Sequence, residues 1–443
     1  MQKHFEEHIV NHFNFLSKKK LLIAISGGLD SVVLTHLCKN ATLDITLAHC
    51  NFNLRNAESD EDETFVIKLA KTLNIEVFVQ HFNTTTYAEN NKLSIQMAAR
   101  ALRYHWFQDL TEQVGFDYIL TAHHADDNLE TFLINLTRGT GLDGLTGIPE
   151  INGKILRPLL PFSRKTIESY AKKNSLAWRE DSSNASIKYL RNQLRHEVIP
   201  NLKETHPQLL QNFKTTLQHL NDASDIVNQS VNNLLKRAIV KANNFEITYA
   251  ISEFNTLKNP KAYLVEIFKP YGFTAFDDIL NLLTAQSGKQ IFSQTHRIIK
   301  DRTHLILAAM PFKEDKPAIS IHLKDKRKSI PNGILFFNVI DKENFNTVKK
   351  LTRNDIVVDV DTLSYPLTIR YWKEGDYFYP LAGNGKKKLS KYFKDEKLSL
   401  LEKENCLLLC SNDDVVWILN YRADERFKVT KKTKKILKIS FKK

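Results

Sequence analysis

The chain has 443 residues, of which 42% are hydrophobic and 26% are charged, and it carries a formal net charge of +13. At about 150 residues per domain, this length predicts roughly two to four domains, which can bury a core without disulfides. No stretch approaches the roughly 18 apolar residues of a membrane span, and residues 1–15 do not resemble a signal peptide. We therefore expect a cytoplasmic protein that makes no membrane contacts.

The cysteines indicate a reducing compartment. There are four, Cys38, Cys50, Cys406 and Cys410, and they include no C-x-x-C pair. Cys406 and Cys410 fall in an apolar run, which is typical of buried thiols.

Residues 21 to about 160 alternate between β-rich runs and helical patterns. The predicted strands are Leu21–Ser26, Asp44–His49, Ile75–His81, Asp117–Thr121 and Lys154–Leu160. The predicted helices are a stretch ending near Lys39, then Glu58–Leu73, Ser94–Gln113 and Asp126–Thr137. This alternation predicts an α/β domain with a doubly wound parallel sheet, which binds ligands beyond the carboxyl ends of its strands.

The rest of the chain changes character twice. Residues 206–287 have mainly helical spacing, residues 314–332 are polar and lysine-rich, and short apolar runs typical of strands follow Tyr365. We predict an α/β domain over 1–205, a mainly helical domain over 206–312, a linker region over 313–362 and a small α+β domain over 363–443.

The positive charge is concentrated near the C-terminus. Residues 422–443 contain ten Lys or Arg against Asp424 and Glu425, a net charge of +8, and Lys386–Lys388 form a second cluster. A solvated surface would explain such charge, but its position at one end of the chain favours a polyanionic partner such as RNA.

The sharpest motif is the hexapeptide Ser26-Gly27-Gly28-Leu29-Asp30-Ser31, between the first strand and the first predicted helix of the α/β region. It is neither a Walker A loop nor G-x-G-x-x-G. Adjacent glycines expose backbone amides to a phosphate, and the helix N-terminus that follows also favours an anion. Asp30 would repel phosphate unless Mg²⁺ bridged them. The alternative is an ordinary strand-to-helix turn with Asp30 at the positive helix end.

Two acidic residues, Asp127 and Glu130, lie three apart at the start of a later helix. They could simply stabilise the positive helix end. Next to the glycine loop, they become candidates for binding Mg²⁺ or an incoming ammonium group. His123 and His124 have no metal-ligand spacing with cysteine, which argues against zinc there.

Three arginines are candidates for contacts with phosphate or RNA. Arg100 and Arg103 lie three apart, hence on one helix face, and are either surface residues or phosphate ligands. Arg195 could equally pair with a nearby acid.

The hexapeptide resembles the PP-loop of the ATP pyrophosphatases, which split ATP between its α and β phosphates. The resemblance implies that Ser26, Gly27, Gly28, Leu29, Asp30 and Ser31 bind ATP. Residues 49–55, 98–104, 121–131, 138–142, 157–160 and 179–195 further resemble the tRNA(Ile)-lysidine synthases. The C-terminal match is looser, and Asn405 and Asn420 depart from the expected pattern.

This second resemblance implies a ligase that forms a carbon–nitrogen bond. Such enzymes transfer AMP to the carbonyl oxygen at carbon 2 of the wobble cytidine in an isoleucine tRNA with a CAU anticodon. Free L-lysine then displaces AMP, and the product lysidine changes decoding from AUG to AUA. The implied cofactors are ATP and Mg²⁺, with Asp30 and Asp127 as metal ligands. The implied catalytic residues are Asp30, Arg103, Asp127, Glu130 and Arg195.

Three other functions deserve comparison. A PP-loop tRNA 2-thiolation enzyme usually carries paired cysteines, and Cys38 and Cys50 are not so arranged. An amidotransferase-type synthetase would have no use for the basic C-terminus. A non-catalytic RNA-binding protein would not need the intact hexapeptide with Asp127 and Glu130. The sequence leaves the oligomeric state open, a homodimer included.

Overall fold

A computed structural model describes residues 1–55, 57–180, 190–310, 317–343, 351–352, 354–383 and 385–442. The chain divides into two compact units, residues 1–229 and residues 230–443. Within the described ranges, no helix is both long enough and apolar enough to cross a membrane.

The first unit contains a six-stranded sheet with the order β3-β2-β1-β4-β6-β5. All neighbouring strands are parallel except β5, which is antiparallel to β6. The strands are β1 Leu21–Ala24, β2 Ile45–Asn51, β3 Val77–His81, β4 Tyr118–Leu120, β5 Ile151–Asn152 and β6 Ile155–Leu156. The predicted parallel α/β sheet is thereby confirmed.

Helices surround this sheet, and several begin at residues whose side chains cap them. Ser94, Ser163 and His124 each accept a hydrogen bond from the backbone three residues later. A π-helical turn, Leu194–Val198, lies between the helices Leu190–Gln193 and Ile199–Thr205. The helices are α1 Gln2–His12, α2 Leu29–Asn40, α3 Ala57–Leu73, α4 Thr84–Asn91, α5 Ile95–Gln113, α6 Ala125–Thr137, α7 Leu142–Leu145, α8 Arg164–Lys173, α9 Leu190–Gln193 and α10 Ile199–Thr205. Helix α11, Leu209–Ala238, begins in the first unit and ends in the second.

Strand β1 is apolar throughout because both faces of the sheet are covered. Leu21 and Ile23 pack into one core with side chains of α1, α2 and α8. Leu22 points the other way and packs with Phe107 and Leu110 of α5. The strand order reverses at β1, between β2 and β4, and this switch point is where open α/β sheets bind ligands.

The second unit begins with helices and a five-stranded antiparallel sheet of order β7-β8-β11-β10-β9. The helices agree with the predicted helical character of the middle region, whereas the sheet was not predicted. The strands are β7 Ile239–Ala242, β8 Glu246–Ala250, β9 Gln290–Phe292, β10 His296–Asp301 and β11 His304–Ala309, and the helices are α12 Ile251–Asn255, α13 Pro260–Phe268 and α14 Phe276–Leu282.

The predicted linker over 313–362 is wrong for most of its described residues. They form β12 Ile319–Ile321, β13 Arg327–Ile330, β14 Gly333–Asp341 and β15 Asp355–Asp359. Strand β14 pairs with the last strand, β21 (Lys435–Lys442), from Ile334 opposite Lys442 to Asp341 opposite Lys435. Only one face of these strands is buried, so outward polar residues such as Arg327 and Ser329, together with Lys324 and Lys326 just before β13, gave the segment a linker-like composition.

The rest of the second unit combines strands and short helices, as predicted for residues 363–443, but its sheets also contain β12–β15 from the predicted linker. Its sheets have the orders β12-β16-β19-β20, β13-β14-β21-β15 and β17-β18. The remaining elements are β16 Leu367–Tyr371, β17 Tyr377–Phe378, β18 Lys387–Lys388, α15 Leu389–Asp395, α16 Leu400–Glu404, β19 Leu407–Ser411 and β20 Asp414–Ile418. Cys406 and Cys410 are buried free thiols, as expected.

Candidate active site

A cleft of about 900 Å³ opens in the first unit at the carboxyl ends of β1, β2 and β4. This volume is in the range of small-molecule sites. Its lining includes every residue of the hexapeptide except Gly27, together with Arg103, Asp127 and Arg195. The parallel strands β1 and β4 end at the same edge and bring the hexapeptide close to Asp127, while Arg103 from α5 and Arg195 from the π-helical turn reach the same cleft.

The hexapeptide forms a tight turn between β1 and α2. Gly27 has φ +87°, and a Cβ there would lie 3.4 Å from both Phe65 and Val66, so glycine suits this position. The Ser31 hydroxyl donates to the Gly28 carbonyl at 3.0 Å and fixes the end of the turn. Gly28 is the N-cap of α2 and provides no side-chain cap, so the first amides of the helix are available to an anion.

Asp30, in the first turn of α2, is only partly paired. Its Oδ2 accepts a hydrogen bond from Arg164 Nη1 at 2.7 Å, whereas Oδ1 is buried and has no hydrogen-bond partner among the described residues. His124 Nε2 lies 3.8 Å from that Oδ1. Burial raises the pKa of Asp30 above its ordinary value, against the opposing charges of His124 and Arg164.

Asp127 is held by the N-terminus of α6. Its Oδ2 accepts from the His124 amide at 3.0 Å, and its own amide donates to His124 Nδ1 at 3.3 Å. His124 Nε2 faces both carboxylates, at 3.8 Å from Asp30 Oδ1 and 3.4 Å from Asp127 Oδ2. Burial would raise the pKa of Asp127, but His124 and Arg195 lower it below its ordinary value. Asp127 is therefore ionised at neutral pH.

Glu130 lies one turn further along α6 and is 1% exposed. It accepts hydrogen bonds from Arg195 Nε at 2.7 Å and from Arg191 Nε at 2.9 Å. Arg195 also donates to Asp127 Oδ1 at 2.9 Å. Among the described residues, Glu130 is not part of the cleft wall. Its carboxylate therefore orients Arg191 and Arg195 from a buried position outside the cleft.

Arg103 of α5 reaches the cleft, with its guanidinium 5.3 Å from the centre of the Phe52 ring. Arg100 instead stacks on Tyr104 at 5.0 Å. Cys50 also lines the cleft, and burial raises the pKa of its thiol to about 12, although Arg103 opposes the shift. Because the thiolate is the reactive form, Cys50 is a poor nucleophile near neutral pH.

One contributor to the site, Arg164, was missed by sequence reasoning, and another, Arg179, begins a stretch of the family resemblance but was given no role there. Arg164, at the start of α8, pairs with Asp30 across 134 residues of chain, and no local pattern announces such a contact. Arg179 donates its amide to the Gly27 carbonyl at 2.9 Å and its Nε to Asp62 at 3.0 Å, which ties the segment near Trp178 to the loop. The positions Asp181–Asn184 and Tyr189 from the resemblance lie outside the described residues.

The chain is similar to known proteins over nearly its whole length. Models of a PP-loop domain, a TilS substrate binding domain and a TilS substrate C-terminal domain match residues 1–202, 242–310 and 367–440. The tRNA(Ile)-lysidine synthase of Parabacteroides distasonis is 38% identical over 438 residues, which cover 98% of each chain. Those of Bacteroides thetaiotaomicron and Clostridium perfringens are 37% and 30% identical, covering 99% and 96% of this chain and 99% and 95% of theirs.

The chain belongs to the tRNA(Ile)-lysidine synthase family. The resemblance found in the sequence motifs is therefore confirmed, and membership of this family extends over the second unit as well as the first. The PP-loop match also implies that the chain uses ATP.

Solved structures give weaker likenesses. A U34-tRNA thiolase from Methanococcus maripaludis is 17% identical over 49% of this chain and 78% of its own, with a TM-score of 0.41. A TilS C-terminal domain is 18% identical over 28% of this chain and 97% of its own, with a TM-score of 0.25. Neither value supports a conclusion about function.

Proposed function

We propose that this protein is a tRNA(Ile)-lysidine synthase, a ligase that joins free L-lysine to carbon 2 of the wobble cytidine in the CAU-anticodon isoleucine tRNA. ATP would be split into AMP and pyrophosphate, and decoding would change from AUG to AUA. The observation that carries the proposal is the full-length identity of up to 38% with tRNA(Ile)-lysidine synthases. The composition of the cleft supports it independently.

In the first step, the carbonyl oxygen at carbon 2 would attack the α-phosphorus of ATP, and pyrophosphate would leave. The glycine turn and the uncapped start of α2 suit the phosphates, because backbone amides and the helix dipole favour an anion. Arg103 adds a guanidinium to the same cleft, where it can bind a phosphate or the adenylated base.

A magnesium ion fits the site because a buried carboxylate oxygen there is available to bind it. Asp30 Oδ1 is a buried carboxylate oxygen without a hydrogen-bond partner in the described structure, and Asp127 lines the same cleft. Mg²⁺ is commonly bound through one or two carboxylates together with waters and substrate phosphates. Asp30 and Asp127 would hold the ion, which would neutralise charge on the departing pyrophosphate.

In the second step, the ε-amine of lysine would attack carbon 2, and AMP would leave with the former carbonyl oxygen. The amine must lose its proton before it attacks. Asp127 is the better candidate to orient the ammonium group, because it is ionised and lines the cleft, whereas Glu130 lies behind the two arginines. Arg195, fixed by Glu130, would stabilise negative charge on the adenylate.

The second unit would bind the tRNA outside the wobble base. Its two regions match TilS substrate-binding and C-terminal domains, and its last 22 residues, 422–443, carry a net charge of +8. Lysines that neutralise phosphates supply affinity without sequence information. A homodimer is compatible with this proposal, and a cytoplasmic location stays a prediction.

A 2-thiolation reaction has less support. It would need a reactive thiol at the cleft, and the Cys50 thiol is protonated near neutral pH because burial raises its pKa to about 12. The described structure places no second cysteine in the cleft wall.

The direct test is incorporation of radiolabelled lysine into unmodified isoleucine tRNA with a CAU anticodon, in the presence of ATP and Mg²⁺. We expect label that resists mild alkaline deacylation, and none with the Asp30→Asn variant or with a tRNA whose wobble base is uridine. Pyrophosphate release that depends on tRNA but leaves no lysine on it would retain adenylation and overturn the lysine acceptor.

A further inference from the structure

Three side chains of the types that bind metals lie together outside the cleft wall, where α1 faces the segment before β5. His8 and His12 are one helical turn apart on α1, and Glu150 immediately precedes β5. One potential ligand atom from each of the three side chains lies within 4.8 Å of the other two. Residues from distant parts of the first unit therefore converge on one point.

The spacing of these atoms suits an ion between them. His8 Nε2 is 3.6 Å from Glu150 Oε1, and His12 Nδ1 is 3.5 Å from Glu150 Oε2. Charge-assisted hydrogen bonds are shorter, at about 2.7–2.9 Å. Two ligands at about 2.0–2.1 Å from a tetrahedral Zn²⁺ are separated by about 3.3–3.4 Å, close to the distances found here.

His8 provides a second, independent indication. Its side chain is 10% exposed, and its Nε2 is buried without a hydrogen-bond partner in the described structure. The rings of Phe13 and Phe162 meet the imidazole edge-on, at centroid distances of 5.4 and 6.4 Å, and fix its orientation. A buried nitrogen that lacks a partner is costly, and coordination to a metal would remove this cost.

One side of the cluster is exposed to solvent. His12 and Glu150 have side chains that are 55% and 32% exposed, so water can complete the coordination of an ion. Lys214 of α11 is the opposing feature, because its positive charge acts on both His8 and Glu150. A bound dication must compete with this lysine for Glu150.

We propose that His8, His12 and Glu150 form a Zn²⁺ site that fastens α1 to the segment preceding β5. Two imidazoles and one carboxylate are typical zinc ligands. Helix α1 inserts Phe5 and Ile9 into the core that α2 shares, and Gln2 donates to the Leu37 carbonyl of α2 at 3.2 Å. The ion would thus stabilise α1, which packs against α2, the helix that follows the glycine turn.

The experiment titrates the chelator-stripped, full-length protein with Zn²⁺ against a chromophoric chelator, and with Co²⁺ as a spectroscopic probe. His12→Gln and Glu150→Gln remove partly exposed ligands and leave the core intact, and Lys214→Met removes the competing charge. His4→Gln is the matched control, because His4 is an exposed histidine on the same helix.

We expect one equivalent of Zn²⁺ to bind the wild type and the His4→Gln control and to raise the melting temperature of both. Affinity should fall at least about tenfold in His12→Gln and Glu150→Gln, with loss of the Co²⁺ absorption bands, and rise in Lys214→Met. Absence of binding by the folded wild type, or binding that neither ligand variant weakens, overturns the site. Pyrophosphate exchange measured on the same samples keeps this outcome separate from the proposed ligase activity.

Discussion

Asp30 in the first unit and Asp376 in the second are both largely buried carboxylates beside an arginine, yet they are paired differently. Asp376 accepts from Arg370 at 2.7 and 2.8 Å and from the Lys373 amide at 2.6 Å. Asp30 accepts from Arg164 through one oxygen only, and its other oxygen is buried without a partner in the described structure.

The two pKa values shift in opposite directions as a result. Burial raises both, but at Asp376 the hydrogen bonds from Arg370 and Lys373 reverse the shift and lower the pKa. At Asp30 burial prevails and the pKa is raised. A carboxylate that serves the fold is fully paired, whereas one that keeps a buried oxygen available is suited to a ligand.

The largest expected effect is that of Asp30→Asn on the chemistry. Losing the charge should reduce tRNA-dependent ATP–pyrophosphate exchange by about 1,000-fold, because the proposed Mg²⁺ site would lose one of its two carboxylate ligands. The melting temperature should rise by about 2 °C at pH 7, since the variant removes a buried and incompletely paired charge. Exchange close to the wild-type rate would contradict the assignment of Asp30 to the site.

Glu130→Gln should lower both the stability of the fold and the rate of pyrophosphate exchange. It leaves Arg191 and Arg195 beside a neutral side chain, so the free energy of unfolding should fall by about 3 kcal/mol, as for a broken buried ion pair. Exchange should fall by about 100-fold because Arg195 loses its orientation. Urea denaturation and exchange assays measure the two effects.

The control for Glu130 is Glu168→Gln, which removes an exposed pair with Lys172 on α8. Exposed pairs contribute at most about 1 kcal/mol, so both measurements should stay near wild type. Equal stability of the two variants would mean that the arginines around Glu130 do not depend on its charge.

Asp376→Asn should show the reverse pattern to Asp30→Asn. Loss of the charge that binds Arg370 should destabilise the protein by about 2 kcal/mol, or several degrees in melting temperature. At saturating tRNA the exchange rate should stay within about threefold of wild type. A large loss of exchange with unchanged stability would show that Asp376, too, serves a ligand.

The smallest effect concerns pH. The folded pKa of Asp30 lies above its ordinary value of 3.8, so its charge destabilises the fold at neutral pH and this cost disappears as the pH falls toward 3.8. The folded pKa of Asp376 lies below 3.8, so its stabilisation persists above that pH and is lost as the pH falls through the folded pKa.

Melting temperatures of the wild type and both variants between pH 7 and pH 4 test this difference. The excess stability of Asp30→Asn, about 2 °C at pH 7, should shrink with falling pH. The deficit of Asp376→Asn should stay constant over the same range. Parallel curves for the two variants would contradict the opposite pKa shifts.

The sequence alone predicted the parallel sheet and the residues that gather at its edge. The apolar run Leu21–Ala24 and the helical spacing of Ile95–Gln113 are local patterns, which can be detected in a single sequence. The hexapeptide could also be recognised in the sequence, because the positive φ of its turn favours glycine. The roles of Asp30, Arg103, Asp127, Glu130 and Arg195 in catalysis remain predictions.

Features that depend on long-range pairing were missed. The hairpin of β10 and β11 turns at Arg302, which has φ +48° where glycine or asparagine would have signalled a turn. The strands within 313–362 are half-buried, and their partner β21 lies at the far end of the chain. Such pairings depend on which distant segment supplies the matching apolar face, so composition alone suggested a linker.

The sequence by itself determined which residue types meet at the carboxyl edge of the sheet, because strand and helix order follow from local periodicity. Only the tertiary structure decided how those side chains are paired. It placed Arg164 on one oxygen of Asp30 and left the other buried, and it set Glu130 behind Arg191 and Arg195. Pairing and burial depend on contacts between segments far apart in the chain, and those contacts set the pKa of each carboxylate.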